Sequence, residues 1–294
     1  MKHVILILAH DQPVHLCRLV HLFDNDFDIY IHWCAKTPIP VPVKSLESTR
    51  IHIYSKFQIN WGGWNMCEAT NLLCTEALRL SPDAQYFHLI SGTDYLIKPL
   101  DKFKQFFEKA LTNNTCYIKI YHVKSKILKE HVLPDKDFIF LIHDLDKIDL
   151  RTASTEQIDA YKNNLKFQYK NSAFLPNPPH KVVTGEQWWS LPRSAVQLVV
   201  DKFEYIKSYE EHSRIPDNRF VQTILCNFGY EKNIENTYLR YRRHDDKDTT
   251  HHLAILGSRD YTPAIKSNEF WARKCTDEQS KVFCDAIDKF CGRK

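Results

Sequence analysis

Short apolar runs alternate with amphipathic stretches through the first 122 residues of this chain. The apolar runs have the length and residue types of buried strands. They lie at residues 4–9, 28–33, 50–54, 86–90 and 116–122. Helical spacing of apolar residues begins at Pro13, at residue 61 and at residue 100. Strands that alternate with helices form largely parallel sheets covered on both faces. The sequence therefore predicts an α/β fold.

The second half of the chain is less regular. We expect a strand at residues 138–143, a polar loop over 151–181 and one helix over 193–209. Another helix is expected to begin at Pro216, because proline is favoured in the first turn of a helix. A closing helix is expected over residues 277–290.

Composition excludes several classes of function. The chain has 40 basic and 36 acidic residues among its 294, for a net charge of +4. A nucleic-acid-binding protein needs a concentrated basic face, so we expect no nucleic-acid partner. The chain contains neither a GxGxxG nor a GxxxxGK[ST] motif, which argues against a Rossmann dinucleotide site and a P-loop.

Cysteine usage and hydropathy indicate the compartment. The nine cysteines show no CxxC spacing, which predicts reduced thiols in a cytoplasmic protein. Cys67 and Cys74 are spaced to share one helix face. No run approaches the roughly 18 apolar residues of a membrane span. We expect a cytoplasmic protein, with peripheral contact at the inner face of the membrane as an alternative.

The strand at residues 86–90 ends in Ser91-Gly92-Thr93-Asp94. Open α/β sheets bind ligands at the carboxyl ends of their strands. Gly92 allows a tight turn or a close approach to a ligand, and Asp94 supplies a carboxylate. The alternative is an ordinary turn capped by serine and aspartate.

Three other patterns suit binding or catalysis. Arg273 and Lys274 lie beside aromatic residues and suit a diphosphate, unless they form a solvated helix end. Asp217, at the expected helix start, is either a functional carboxylate or an N-cap. Tryptophans suit stacking on sugars, although buried structural rings are the alternative. The tryptophans in question are Trp61, Trp64, Trp188 and Trp189.

Seven segments, taken in order, resemble the Core-2/I-branching glycosyltransferase family, which includes β-1,6-N-acetylglucosaminyltransferases and peptide xylosyltransferases. The segments are ILAHDQPVHLCRLV, IYIHWCAK, NWGGWNMCEAT, HLISGTDYLIKP, GEQWWSLPR, IPDNRFVQTILCN and NEFWARKC. They span almost the whole chain. The resemblance implies a GT-A-like fold with a Rossmann-like, mostly parallel sheet in one domain. Residues 1–125 would bind the nucleotide sugar, and residues 126–294 would bind the acceptor and carry the diphosphate-binding segment.

The resemblance also implies an inverting, metal-independent enzyme that needs no cofactor. It would transfer GlcNAc, or xylose, from a UDP-sugar to a hydroxyl of a glycan or lipid-linked glycan, as in bacterial polysaccharide synthesis. The expected donor-binding residues are His10, Ser91, Gly92, Asp94, His251, Arg273 and Lys274. The expected acceptor-binding residues are Glu186, Gln187, Trp188, Trp189 and Asn218. The segment of residues 61–65 falls on the nucleotide side by this resemblance.

The chain departs from the family at three positions. Cys34 replaces an aspartate that contacts the nucleoside, and His251 falls where the family has a second diphosphate-binding residue, an arginine. Asn218 replaces the catalytic glutamate. An amide cannot usefully accept a proton, so Asn218 cannot be the general base.

Asp217 is the nearest carboxylate to that position and is the predicted base. Asp94 and Glu186 are the alternatives. Lys274 meets the second requirement of the reaction, positive charge near the departing diphosphate, with Arg273, His251 or a residue of the basic cluster 240–243 as helper.

Two other functions stay open at this stage. Asp24-Asn25-Asp26 and Asp144-Leu145-Asp146 match the short DxD pattern that holds a divalent cation in many nucleotide-sugar transferases. A metal-dependent enzyme that uses Asp144 and Asp146 is therefore one alternative. The adjacent His251 and His252 diverge and cannot chelate one metal as a helical pair would. A degenerate member that binds a nucleotide sugar or glycan without turnover is the other alternative.

Overall fold

The computed structural model describes residues 1–121, 140–173, 175, 178–244 and 253–293. The strands are β1 (Lys2–Ala9), β2 (Phe27–Trp33), β3 (Ile51–Tyr54), β4 (Ala84–Ser91), β5 (Tyr95–Leu96), β6 (Cys116–Tyr121), β7 (Thr184–Pro192), β8 (Ile234–Glu235), β9 (Arg240–Arg242) and β10 (Trp271–Arg273). The helices are α1 (Pro13–Val20), α2 (Val41–Lys44), α3 (Asn65–Leu80), α4 (Leu100–Thr112), α5 (Thr155–Lys170), α6 (Arg193–Asp201), α7 (Phe203–Glu210), α8 (Phe220–Asn227), α9 (Tyr261–Lys266) and α10 (Lys281–Phe290). Three short 3-10 helices cover Pro216–Asn218, Glu231–Asn233 and Ser258–Asp260.

The main sheet has seven strands in the order β3-β2-β1-β4-β7-β6-β8. The first four strands in this order are parallel. β7 runs antiparallel to both of its neighbours, and β8 runs parallel to β6. Because β7 comes from the second half of the sequence, both halves of the chain contribute to one sheet. The predicted α/β fold with a mostly parallel sheet is confirmed.

Helices cover both faces of this sheet, as predicted. β1 shows why its sequence is a continuous apolar run: Ile5 and Ile7 pack into the core beneath α1, α4 and α10, whereas Val4 and Leu6 pack into the core beneath α3, α6 and α8. Side chains alternate between the faces of a strand, so a strand that is buried on both faces must be apolar throughout.

A second sheet of three strands, in the order β5-β10-β9, brings the end of the chain back to the loop after β4. Ala272 pairs with Tyr95, and Arg273 pairs with Arg242. The backbone N–H of Cys275 donates to the carbonyl of Thr93 at 2.9 Å. These contacts place the segment around Arg273 beside the carboxyl end of β4.

Several sequence predictions about the second half are wrong. Residues 151–181 contain the helix α5, which begins with a capping box between Ser154 and Gln157. Gln168 is its one buried residue, so the helix lacks the apolar stripe that would have revealed it. Phe140 to His143 form no strand, and residues 138 and 139 lie outside the described residues.

Other predictions need smaller corrections. The single helix expected over 193–209 is divided at Lys202 into α6 and α7. On α3, Cys67 and Cys74 are both fully buried, in agreement with their predicted place on one helix face, whereas Leu80 at the end of the helix is 39% exposed. All nine cysteines are free thiols. Within the described ranges, no helix is both long and apolar enough to cross a membrane.

Gly185 is the glycine with the least space for an added side chain. A Cβ at this residue of β7 would overlap the carbonyl oxygen of Lys119 on β6 and lie 2.9 Å from Nε2 of Gln222. We expect Gly185→Ala to lower the free energy of unfolding by about 1–3 kcal/mol or more, the usual cost of overpacking. Gly257→Ala is the matched control, because no atom lies within 4 Å of its added Cβ. Urea denaturation of both variants tests this, and equal stability of the two would contradict it.

Candidate active site

A cavity of about 630 Å³ opens at the carboxyl ends of the parallel strands. Its floor includes His10 after β1, Lys36 after β2 and Ser91 at the end of β4. Open α/β sheets bind ligands at this edge. Its volume is within the range of small-molecule sites, which is about 300–1,000 Å³.

Most of the residues predicted for donor binding, acceptor binding and catalysis meet in this cavity, although they come from distant parts of the sequence. Those that line it are His10, Ser91, Glu186, Gln187, Trp188, Asp217, Asn218, Arg273 and Lys274. The predicted residue His251 lies outside the described residues.

Three predicted residues do not reach the cavity. Asp94 and Trp189 are completely buried, so neither side chain can contact a ligand there in this conformation. Trp189 lies on the opposite face of β7 from its neighbour Trp188 and packs in the core beneath α3. Gly92 allows the ends of β1 and β4 to approach closely, and it does not contact the cavity. An added Cβ at Gly92 would lie 2.8 Å from Cβ of Ala9.

Asp94 instead holds two arginines in place. Its Oδ2 accepts hydrogen bonds from Nε of Arg240 at 3.2 Å and from the backbone N–H of Ser91 at 3.0 Å. Its Oδ1 lies 3.6 Å from Nε of Arg273. The ring of Trp188 packs against both guanidinium groups, 4.7 Å from Arg273 and 5.6 Å from Arg240. Asp94 and Trp188 thus fix the orientation of Arg273.

Arg273 and Lys274 form the cationic wall of the cavity. The alternative of a solvated helix end is wrong, since Arg273 closes strand β10 and its side chain is only 14% exposed. Its Nη1 is buried and has no hydrogen-bond partner among the described residues. A buried donor without a partner is costly, and a ligand oxygen would satisfy it. Two adjacent cations suit a diphosphate.

Asp217 differs from the other carboxylates of the cavity. It lies in the short 3-10 helix at Pro216–Asn218, where no side-chain cap is formed, so the N-cap alternative is not supported. The residue is 8% exposed, and its Oδ1 has no hydrogen-bond partner within the described part of the chain. Burial raises the pKa of Asp217 to about 6. A carboxylate with a pKa near neutral is suited to accept a proton.

The remaining carboxylates that line the cavity are neutralised by cations. Glu186 accepts a hydrogen bond from Arg242 at 2.9 Å and another from the hydroxyl of Tyr121. Asp149 pairs with Lys36 at 2.5 Å. The hydrogen bond from Lys36 lowers the pKa of Asp149, and Oε1 of Glu186 already accepts from two protein donors. Among the described carboxylates of the cavity, Asp217 is therefore the best placed to act as a base.

The DxD carboxylates bind protein groups and do not line the cavity. Asp144 contacts His212 and Lys147, each at 2.6 Å. Asp146 accepts from the backbone N–H of Asn65 at 3.0 Å, which caps the start of α3 from another segment. The pair at Asp24-Asn25-Asp26 binds Lys104 through both carboxylates. No group of three or more potential metal ligands occurs within the described residues.

The sequence reasoning missed several residues of the site. Lys36, Asp149, Arg151 and Tyr238 line the cavity without having been singled out. Arg242 belongs to the basic cluster of residues 240–243, which has no periodicity that would distinguish its members. Asp149 and Arg151 lie in irregular chain before α5, where no local signal indicates function. Trp64 is buried in the core, while Trp61 is 41% exposed at the cavity.

A profile of the Core-2/I-Branching enzyme family matches residues 7–265. The chain belongs to this family. Members are glycosyltransferases, a class of enzyme that generally uses a nucleotide-sugar donor and a glycan acceptor. The mixed seven-stranded sheet described above agrees with the GT-A-like architecture predicted for a Core-2/I-branching enzyme.

Two solved structures were compared with this Core-2/I-branching protein. Mouse xyloside xylosyltransferase 1 in its apo form is 8% identical, with 92% of this chain and 96% of that chain covered and a TM-score of 0.38. A mannose-1-phosphate geranyltransferase from Thermus thermophilus is 8% identical, with 76% and 72% covered and a TM-score of 0.31. Similarity at this level carries no conclusion about function. A comparison with curated proteins found no match.

The buried pair of Asp94 and Arg240 leads to a prediction about stability. Asp94→Asn leaves the guanidinium of Arg240, itself 4% exposed, without a countercharge, and breaking such a pair costs about 3–5 kcal/mol. Asp83→Asn is the matched control, since Asp83 is 65% exposed and lies 3.8 Å from Lys2. An exposed pair contributes at most about 1 kcal/mol. Chemical denaturation measures both, and a similar loss in the two variants would show that the buried pair has no special role.

Proposed function

We propose that this chain is an inverting glycosyltransferase that moves a sugar from a UDP-sugar to a glycan hydroxyl without a metal ion. One observation carries the proposal: a desolvated carboxylate, Asp217, shares a cavity with the cationic pair Arg273 and Lys274. An inverting transfer requires both groups. The base must reach the acceptor hydroxyl, and positive charge must stabilise the departing diphosphate.

The residues take the following roles in a single displacement. Asp217 removes the proton from the acceptor hydroxyl as the acceptor oxygen forms a bond to the anomeric carbon of the donor. The bond from that carbon to the diphosphate oxygen breaks on the opposite face, and UDP carries the electron pair away. Arg273 and Lys274 neutralise the charge that develops on the diphosphate. Asp217 is left protonated and returns the proton to solvent.

The charges of the cavity support a reaction without a metal. Arg273 and Lys274 line the cavity and would supply the positive charge that a departing diphosphate requires. The carboxylates Asp144 and Asp146 are engaged with His212 and with the start of α3. Releasing them to bind a cation would break those contacts.

Family membership supports GlcNAc as the transferred sugar and a β-1,6 branch as the product, with xylose as the second candidate. The acceptor is a glycan or a lipid-linked glycan. A non-catalytic role is the alternative that Asn218 favours, because it places an amide in the cavity at the position of the family's catalytic glutamate. The experiments below separate the two.

Donor binding is tested by calorimetric titration with UDP. We expect UDP to bind, and EDTA to leave its affinity unchanged. Lys274→Ala should weaken binding about tenfold or more, because a charge-assisted hydrogen bond contributes about 1.5–3 kcal/mol. Lys281→Ala, a 69% exposed lysine on α10, is the control. A strict Mg²⁺ requirement would favour the metal-dependent alternative, and unchanged affinity in Lys274→Ala would remove Lys274 from the site.

Asp217→Asn tests the general base, and we expect it to lower turnover but to raise stability. Turnover should fall about 10²- to 10⁴-fold, the usual contribution of a general base. Stability at pH 8 should rise, by at most about 3 kcal/mol, because the wild-type pKa is raised from 3.8 to about 6 and ionisation of the buried group opposes folding. The gain should vanish near pH 4, where wild-type Asp217 is protonated in the folded state.

The pH profile of the wild type is a further measure of the same residue. The value of kcat/KM should rise about tenfold per pH unit below a pKa of about 6 and level off above it. Asn218→Glu is the companion variant. Activity that appears only in Asn218→Glu would show that the wild type is a non-catalytic binder. A wild type that turns over as fast as Asp217→Asn would exclude Asp217 as the base.

A further inference from the structure

Trp61 presents an exposed ring at the cavity with two arginines packed against it. The ring is 41% exposed. Cζ of Arg151 lies 5.2 Å from the ring centroid, and Cζ of Arg214 lies 5.8 Å from it. Both distances are within the range of cation–π contact. None of these three residues has a role in the proton transfer or in diphosphate binding described above.

This cluster is attached to the segment that carries the predicted base. The carbonyl of Gly62 accepts a hydrogen bond from the backbone N–H of Ile215 at 2.9 Å. Ile215 directly precedes Pro216 and Asp217, and an added Cβ on Gly62 would lie 3.3 Å from its side chain. Trp61 and Arg214 therefore lie on either side of the segment that positions Asp217. In the proposed reaction, the acceptor approaches from the side of Asp217.

The position excludes the leaving diphosphate as the ligand of this cluster. In a single displacement, the acceptor oxygen and the diphosphate lie on opposite faces of the anomeric carbon. Cations beside Asp217 lie on the acceptor's face, whereas Arg273 and Lys274 supply the charge for the leaving group. Trp61 and its arginines are thus placed to contact the acceptor, whereas the family resemblance alone assigned residues 61–65 to the nucleotide side.

Arg151 is the member of this cluster whose charge is available to a ligand. Asp149, the nearest cavity carboxylate in sequence, is paired with Lys36 at 2.5 Å. Arg151 is exposed and forms no salt bridge with any described residue. A guanidinium that packs its plane on an aromatic ring keeps the N–H groups at its edge available. Those groups bind carboxylates and phosphates in bidentate fashion.

We propose that the acceptor of this enzyme carries a negative charge, a carboxylate or a phosphate, that binds Arg151 beside the ring of Trp61. The inference rests on the proposed function, because it names the class of acceptor for the same cavity. Trp61 covers an apolar face of the acceptor, and Arg151 selects for the oxyanion.

The test compares sugars that differ only in charge. The probes are glucose and galactose, each with its 6-phosphate and its uronic acid, titrated against the whole chain without donor. We expect a charged member to bind at least about tenfold more tightly than its neutral partner. Raising the ionic strength to about 0.5 M should reduce that preference, because an exposed pair is screened by salt. The arms with phosphate and uronic acid distinguish the two sources of charge.

Variants identify the residues responsible. Trp61→Ala should weaken binding of both charged and neutral sugars, whereas Arg151→Gln should remove the preference for charge alone. Arg79→Gln is the matched control, an arginine that is 62% exposed near the other end of α3, about 20 Å away by helix length. Both binding-site residues are exposed, so the variants are expected to fold.

The outcomes are separable from those of the proposed function. A preference that Arg151→Gln loses and Arg79→Gln keeps supports an anionic acceptor. The inference is overturned if no charged sugar binds better than its neutral partner, or if Arg151→Gln keeps the preference. UDP titration of the same variants reports the donor site independently, and UDP affinity should stay at the wild-type value in all three.

Discussion

The buried ion pair between Asp94 and Arg240 joins the two sheets of this protein. Arg240 donates both to the carboxylate and to the carbonyl of Leu89 on β4 at 2.7 Å, so the small sheet is held against the end of the main one. The desolvation cost of such a pair is large and offsets most of its attraction. Its contribution is therefore geometric. It orients Arg273, and through Arg273 it determines where the cavity presents a cation.

The charged side chains of the cavity differ in whether they are paired with other protein groups. Arg273 on β10 has partners that leave its Nη1 available as a donor, whereas the carboxylates Glu186 and Asp149 are neutralised by Arg242 and Lys36. Asp217 is the exception, since it is buried without a countercharge within 4 Å in the described structure. A protein that keeps such a group loses stability at neutral pH. A buried carboxylate without a countercharge is expected where function requires it, because it destabilises the fold.

The elements that could be predicted are those with a strong pattern of apolar residues. β1, β2 and β4 were found because strands buried on both faces are apolar throughout. α5 was missed because it has no apolar stripe, although Ser154 and Gln157 form a capping box at its start. No strand was predicted at β7, because its pairing with β4 and β6 joins residues that lie far apart in sequence. Local patterns contain no information about such pairing.

The sequence by itself determined the kinds of residue available at the strand ends, the family resemblance and the absence of the family's glutamate at Asn218. Only the tertiary structure decided which of them face the ligand. Trp188 and Trp189 are neighbours on one strand, yet the first lines the cavity and the second is fully buried. Asp94 and Asp217 are both aspartates at strand or helix ends. Asp94 forms an ion pair with Arg240, whereas Oδ1 of Asp217 has no hydrogen-bond partner among the described residues. The register of a strand and the partners of a charge depend on residues remote in sequence, so burial and ion pairing are properties of the folded chain.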